Sequence, residues 1–352
     1  MKTFYGKSKS GNVSEAVKGL SSPKLILMNS SAQTFENNVK TLEKLFPGVP
    51  SIGCIAMGYD TDVVENGVFI TAFTEGVKVC SGVMQDVTTM PAKHIDEVQK
   101  AVEAVSPGRD NTVIIDYCTG NDAVALTTLT GLTKKYGLQI MGATGDAGKV
   151  SANGEVYENA MVFAVVKNEH GKVKTYKENI YAPMDEHIQL IASKTDKAKY
   201  YLGELGGRPA KQVYQELTGA TEKSIGTQTF KNPLGKVNGE DVCIFSIKDV
   251  SGTGLTLYRQ VNDSDILTIL ERQDMEEVAQ KTIRQIQSDF RHVSAIYSVN
   301  CAFRYLMFQE SGGISQYLKK IGSLGTSCGL VGYGEHYNTQ FVNQTMTCVV
   351  FE

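Results

Sequence analysis

The chain has 352 residues, a formal net charge of −3, 41% hydrophobic residues and 21% charged ones. Those proportions are ordinary for a globular protein, and the length exceeds one compact core, so two domains or one large duplicated fold are expected. Lysines and arginines are scattered, leaving no basic stripe for nucleic acid and no polybasic patch for a membrane.

Met1–Gly11 lacks the apolar stretch of a secretory leader, and the longest apolar runs, such as Ala160–Val166, are strand length. Seven cysteines, an odd number with no C-x-x-C pair, argue against a disulfide framework and against a zinc site. These features point to a cytoplasmic protein.

In chain order, one segment recurs three times. An apolar strand ends in small polar residues, a helix follows, a second strand runs into glycine, and a further β-rich strand closes the unit. The first copy runs from Lys24–Ser31 through a helical stretch with Phe35, Val39, Leu42 and Phe46 on one face, then Ser51–Cys54 and Glu65–Phe73. A second helix, with Ile95, Val98, Val102 and Val105 in phase, precedes the second copy: Thr112–Gly120, Ile140–Gly145 and Glu158–Val166. Asn121 and Asp122 read as helix caps within it.

The polar stretch around residues 186–206 reads as a junction, with a boundary placed near residue 198: domains 1–198 and 199–352. Beyond it, Pro209 opens a helix that Gly219 stops, and alternating strands suggest antiparallel pairing with one wet face. Met275, Val278, Ile283, Ile286 and Phe290 mark the longest amphipathic helix. The third copy follows as Ser294–Cys301, Leu324–Gly329 and Val342–Phe351. The expected fold is mixed α/β (α+β), with duplicated strand–helix–strand modules in two lobes and both parallel and antiparallel pairing.

The C-terminal segment carries a recognisable pattern: Cys301, Arg304 three residues on, Glu310, the turn Tyr333-Gly334-Glu335, and a last strand opened by Asn343-Gln344-Thr345. It resembles the closing signature of the FIST family, sensory domains of bacterial signal transduction. Tyr201–Gly219 with Asn232–Gly235 resembles the start of the family's C-terminal domain, and Gly142–Asp146 with Glu158–Val166 its N-terminal domain. The resemblance implies a small ligand, an amino acid or small carboxylate, and a separate signalling partner such as a kinase, cyclase or chemoreceptor. Some members resemble haem proteins that respond to nitric oxide, which makes haem a possible cofactor. Leu330-Val331-Gly332 before the turn and Phe245-Ser246-Ile247, where an arginine would be sought, depart from the family pattern.

Arg304 either holds a ligand carboxylate through two parallel hydrogen bonds or pairs structurally with Glu310 or Glu335. Cys118 and Cys301 read as equivalent strand ends: thiols in a pocket, possible nucleophiles in an enzyme, or small residues filling a tight turn. Glu335 and Tyr333, flanking Gly334, would meet a ligand ammonium or cap a helix. Asn343 is a ligand contact or a backbone partner at a strand start. Asp146 lies in a glycine-rich run, Gly142–Gly148, that lacks the rest of a phosphate-binding loop. Gly53, Gly142 and Gly325 recur where close approach is required. His336 is the axial ligand if haem is bound.

Overall fold

The computed structural model, which describes residues 1–239 and 241–352, contains all three repeats. In the first, Leu25–Ser30 and Ser51–Ile55 run parallel, joined through the helix Phe35–Leu45, and Val68–Glu75 closes antiparallel on Leu25–Ser30. Thr112–Cys118 repeats this with Gln139–Thr144 and Ala160–Asn168. Ala295–Cys301 repeats it again with Thr326–Gly332 and Thr345–Phe351. Parallel neighbours require a crossover, and in each copy helices supply it.

Each repeat also brings an edge strand, Lys2–Ser8, Val77–Gln85 or Val173–Asn179, set beside its own closing strand. Each gives a hairpin away. Met57–Tyr59 with Val63–Val64 leaves the first repeat and extends the third repeat's sheet at Thr326–Gly332. Val150–Ala152 with Glu155–Tyr157 leaves the second and joins Ser51–Ile55. Glu335–Tyr337 with Gln340–Val342 leaves the third and joins Gln139–Thr144. Three six-stranded sheets are thereby linked in a cycle, and none is complete without its neighbour's hairpin.

The continuous apolar runs explain the packing. Leu25 and Leu27, Val113 and Ile115, and Ala295 and Tyr297 turn one face of each sheet into a common core. The alternate residues Ile26 and Met28, or Ile114 and Cys118, face helices instead. Strands buried on both sides lose the alternation that marks a half-wet strand.

By its contacts the chain forms two compact units, Met1–Glu178 with Ala279–Glu352, and Asn179–Val278. The second unit is thus an insertion within the third repeat, between its edge strand and the latter part of the helix Met275–Asp289. Residues 186–206, expected as an irregular junction, instead contain the antiparallel pair Leu190–Asp196 and Tyr201–Leu205, and a cut at residue 198 falls in their turn. Polar side chains on exposed strand faces gave that stretch its loop-like composition. The inserted unit is built on a nine-stranded sheet with the helix Ala210–Thr218, which starts after Pro209 and stops at Gly219 with φ 71°.

One position recurs in all three sheets. Tyr59, Ser151 and His336, each from a donated hairpin, stand opposite Gly329, Gly53 and Gly142. A Cβ on Gly53 would lie 2.7 Å from Ser151 Oγ, and one on Gly329 only 1.9 Å from the Ser298 carbonyl oxygen and 2.8 Å from the Tyr59 ring. The third member of the series is therefore Gly329, four residues beyond the expected Gly325. Gly329→Ala is expected to cost about 3 kcal/mol or more, because backbone oxygen cannot yield as a side chain can. Gly131→Ala, on an open helical position with nothing within 4 Å, should be neutral or mildly stabilising. Urea midpoints of the two variants check this.

Candidate functional site

Glycine in the second strand lets a hairpin side chain reach across to the strand beyond. His336, opposite Gly142, places Nδ1 2.5 Å from Asp116 Oδ1, and Asp116 is Gly142's partner on the other side. His336 Nε2 faces Asp122 Oδ1 at 3.7 Å, and Thr144 Oγ1 donates to Asp122 Oδ2 at 2.6 Å. All three ionisable side chains are buried. Burial disfavours the imidazolium, but the Asp116 and Asp122 carboxylates outweigh it and push the His336 pKa up to about 10. Burial raises Asp116, only partly offset by His336, whereas at Asp122 burial is outweighed by the nearby His336 and the Thr144 hydroxyl, which hold its carboxyl below the usual value. Asp122, which reads as a helix cap in sequence, belongs to this cluster.

The third repeat builds a counterpart. Tyr59, opposite Gly329, shares a 2.9 Å hydrogen bond with Ser298 and accepts one from Asn300 Nδ2 at 2.8 Å. Asn300 Oδ1 accepts from Arg304 Nε at 3.1 Å. Arg304, wholly buried, forms its ion pair with Glu178 on the edge strand, and Tyr317 donates to the same carboxylate at 3.0 Å. Its guanidinium also lies over the Phe308 and Tyr317 rings, 5.3 and 4.9 Å from their centroids. Glu178, rather than Glu310 or Glu335, supplies the matching charge; Glu310 is exposed on the helix Ala302–Ser311.

The strand ends of the three repeats meet through the backbone. Asp146 N–H donates to Ile55 C=O at 2.7 Å, Gly145 N–H to Cys118 C=O at 2.9 Å, and Thr144 N–H to Gly334 C=O at 3.0 Å. Tyr333 N–H returns a bond to Thr144 C=O at 3.0 Å. Beneath this junction Glu335 is fully buried, its Oε2 accepting from Thr345 N–H at 3.0 Å and Thr345 Oγ1 at 2.8 Å. The Cys301 thiol lies within electrostatic reach of Glu335. Burial dominates and pushes the Glu335 pKa up to about 7. Its Oε1 and the buried Asn343 Nδ2 have no hydrogen-bond partner among the described residues. Above it, Tyr333 is half exposed, within electrostatic reach of the exposed Asp146.

Family models match a FIST N domain over residues 24–208 and a FIST C domain over residues 210–338. The chain belongs to the FIST family. FIST domains are sensory domains of signal transduction. No curated protein matches the chain.

Within this FIST chain, Cys118 and Cys301 are not equivalent. Cys118 pairs with Thr144, two residues past Gly142, whereas Cys301 pairs with Gly332, three past Gly329. One residue of offset on a pleated strand places them on opposite sheet faces. Asn300 is the true counterpart of Cys118 and of Ser30, and each contacts the residue four positions on: Arg304, Asp122 and Thr34. Burial pushes both thiols well above their usual range, aided at Cys301 by Glu335 and at Cys118 by Asp122. Neither is a ready nucleophile at neutral pH.

His336, the axial candidate for haem, lies wholly inside this FIST chain. The ring is fully enclosed, with one nitrogen held by Asp116 and the other turned to Asp122. Among the described residues no helix is long and apolar enough to cross a membrane.

Sequence reading brought Tyr333, Gly334, Glu335, Cys301, Asn343 and Asp146 forward, and Asp146 lies within electrostatic reach of Tyr333 as Cys301 does of Glu335. It missed Asp116, Glu178, Tyr59 and Tyr317. Asp116 did leave a signal, an acid within the otherwise apolar run Val113–Cys118.

Proposed function

We propose that the chain is a small-ligand-binding sensory protein of bacterial signal transduction whose ligand, an amino acid or small carboxylate carrying an ammonium group, is taken at Glu335. The observation that carries this reading is the buried, unpartnered Glu335 Oε1 beneath the junction of strand ends from three repeats. A carboxyl whose pKa stands near 7 gains its charge when an ammonium arrives, so binding and ionisation favour one another. Asn343 Nδ2 supplies a donor for the ligand's carboxylate, and Tyr333 with Asp146 forms the turn that has to move to admit it. That movement changes how strands from different repeats are tied together, and a separate kinase, cyclase or chemoreceptor reads the result.

The protein is expected to gain about 2.7 kcal/mol of stability from its ligand at a hundredfold excess over Kd. Thermal melts with the common amino acids and short carboxylates identify it, and Glu335→Gln should abolish the shift while keeping a cooperative melt. No shift with any of them, together with mass spectra of the native protein showing nothing released on unfolding, would overturn the reading.

A further inference from the structure

We propose that the free edge of Val77–Gln85 is a docking site for an acidic, extended segment of a partner protein, which adds to the second repeat's sheet as a further strand. The inference does not rest on the Glu335 site.

Val77–Gln85 is the outermost strand of its sheet, paired with Ala160–Asn168. Bonds at its ends fix which backbone groups face outward. Gly76 C=O accepts from Glu169 N–H at 2.9 Å, on the inner side. Asn168, opposite Val77, turns its N–H to Asn111 C=O at 2.8 Å, and Gln85 N–H donates to His94 Nε2 at 3.1 Å. Antiparallel pairing alternates, so Val77, Val79, Ser81 and Val83 direct N–H and C=O away from the sheet. No hydrogen bond reaches those groups among the described residues. From Val79 to Gln85 the strand carries no charge that would discourage pairing.

The third repeat shows what such an edge requires. Glu352 N–H donates to Lys172 C=O at 3.0 Å as Glu169 does to Gly76, so Val173 and Thr175 correspond to Val77 and Val79. There the edge is closed: Gln139 Nε2 donates to Val173 C=O at 3.1 Å, and Gln139 Oε1 accepts from Thr175 N–H at 2.7 Å. Gln139 and Ser51 hold the same place in the second and first repeats, opposite Val113 and Ile26. The short Ser51 hydroxyl cannot present a carboxamide's donor and acceptor. A groove of about 500 Å³ lies beside Pro50, Val77 and Val79 instead. A peptide group supplies both partners that Gln139 supplies, and its repetition along an extended segment meets Ser81 and Val83 in turn. On the rim, the exposed Lys24 and Lys78 outnumber Glu169, which selects acidic side chains.

A phage-displayed library of random linear peptides, selected on the full chain, should yield sequences alternating acidic and apolar residues. Bound peptide should slow amide exchange at Val79, Ser81 and Val83. Val79→Pro removes an outward N–H without touching the ladder and should weaken binding about tenfold. Lys24→Glu with Lys78→Glu should do the same, and methylating alternate peptide nitrogens should abolish binding. No enriched peptide, basic sequences, exchange slowed elsewhere, or either variant binding as tightly as the parent would each overturn the proposal. So would a parent that sediments as a dimer and, as Val79→Pro, as a monomer, since a second copy would then hold the edge. Should Val79→Pro fail to fold, the lysine variant and the exchange pattern decide.

Discussion

Arg304→Met is expected to destabilise the protein by about 3–5 kcal/mol, since it leaves the Glu178 carboxylate buried without its cation. Glu178→Leu should cost a similar amount for the converse reason. The Arg304→Met, Glu178→Leu double variant should recover most of the loss, because two apolar residues of comparable size owe no desolvation penalty. Urea denaturation of the four proteins gives the coupling energy directly. Additive losses would mean that Asn300, Tyr317 and the flanking rings, rather than the ion pair, hold Arg304 in place.

His336→Leu is expected to be comparably costly, about 3–5 kcal/mol near neutral pH, as it strands Asp116 and Asp122 with no cation between them. The pH dependence carries a sign. The folded imidazole titrates near 10 and the unfolded one near 6.5, so its contribution is complete below pH 6.5. Above that, the unfolded chain releases a proton that the folded chain keeps, and the contribution is lost as pH rises to about 10. Denaturation free energies from pH 6 to 10 should therefore fall in the parent more steeply than in His336→Leu. Parallel profiles would place the proton elsewhere.

These two clusters show how far sequence reading reached. Arg304 was legible as part of the C-terminal pattern, three residues after Cys301. Its partner could not be found that way: Glu178 lies 126 residues earlier, on an edge strand of the third sheet, with the inserted unit intervening in the chain. His336 stood out as the histidine next to the Tyr333–Glu335 turn. The reason for its environment is the donated hairpin, which carries it into the second repeat's sheet opposite Gly142.

Glu335 is the intermediate case. Its place in the turn Tyr333-Gly334-Glu335 was legible. What could not be read was that Glu335 would be sealed inside while Tyr333, two residues earlier on the bend between two strands, stays half exposed. The one-residue offset between Cys118 and Cys301 comes instead from the pleat, in which successive side chains face opposite ways. Strand ends align by composition to within a residue or so, yet a single step reverses the face.

The sequence by itself determined the repeated unit, the mixed α/β class with both parallel and antiparallel pairing, and the family. All of these are written in local periodicity and in motifs a few residues long. Tertiary structure alone decided which repeat receives each hairpin, which carboxylate meets Arg304, and where the chain divides into compact units. Those outcomes depend on pairings between segments far apart in the chain. Their energies come from burial and charge matching that exist only once the three sheets have closed on one another.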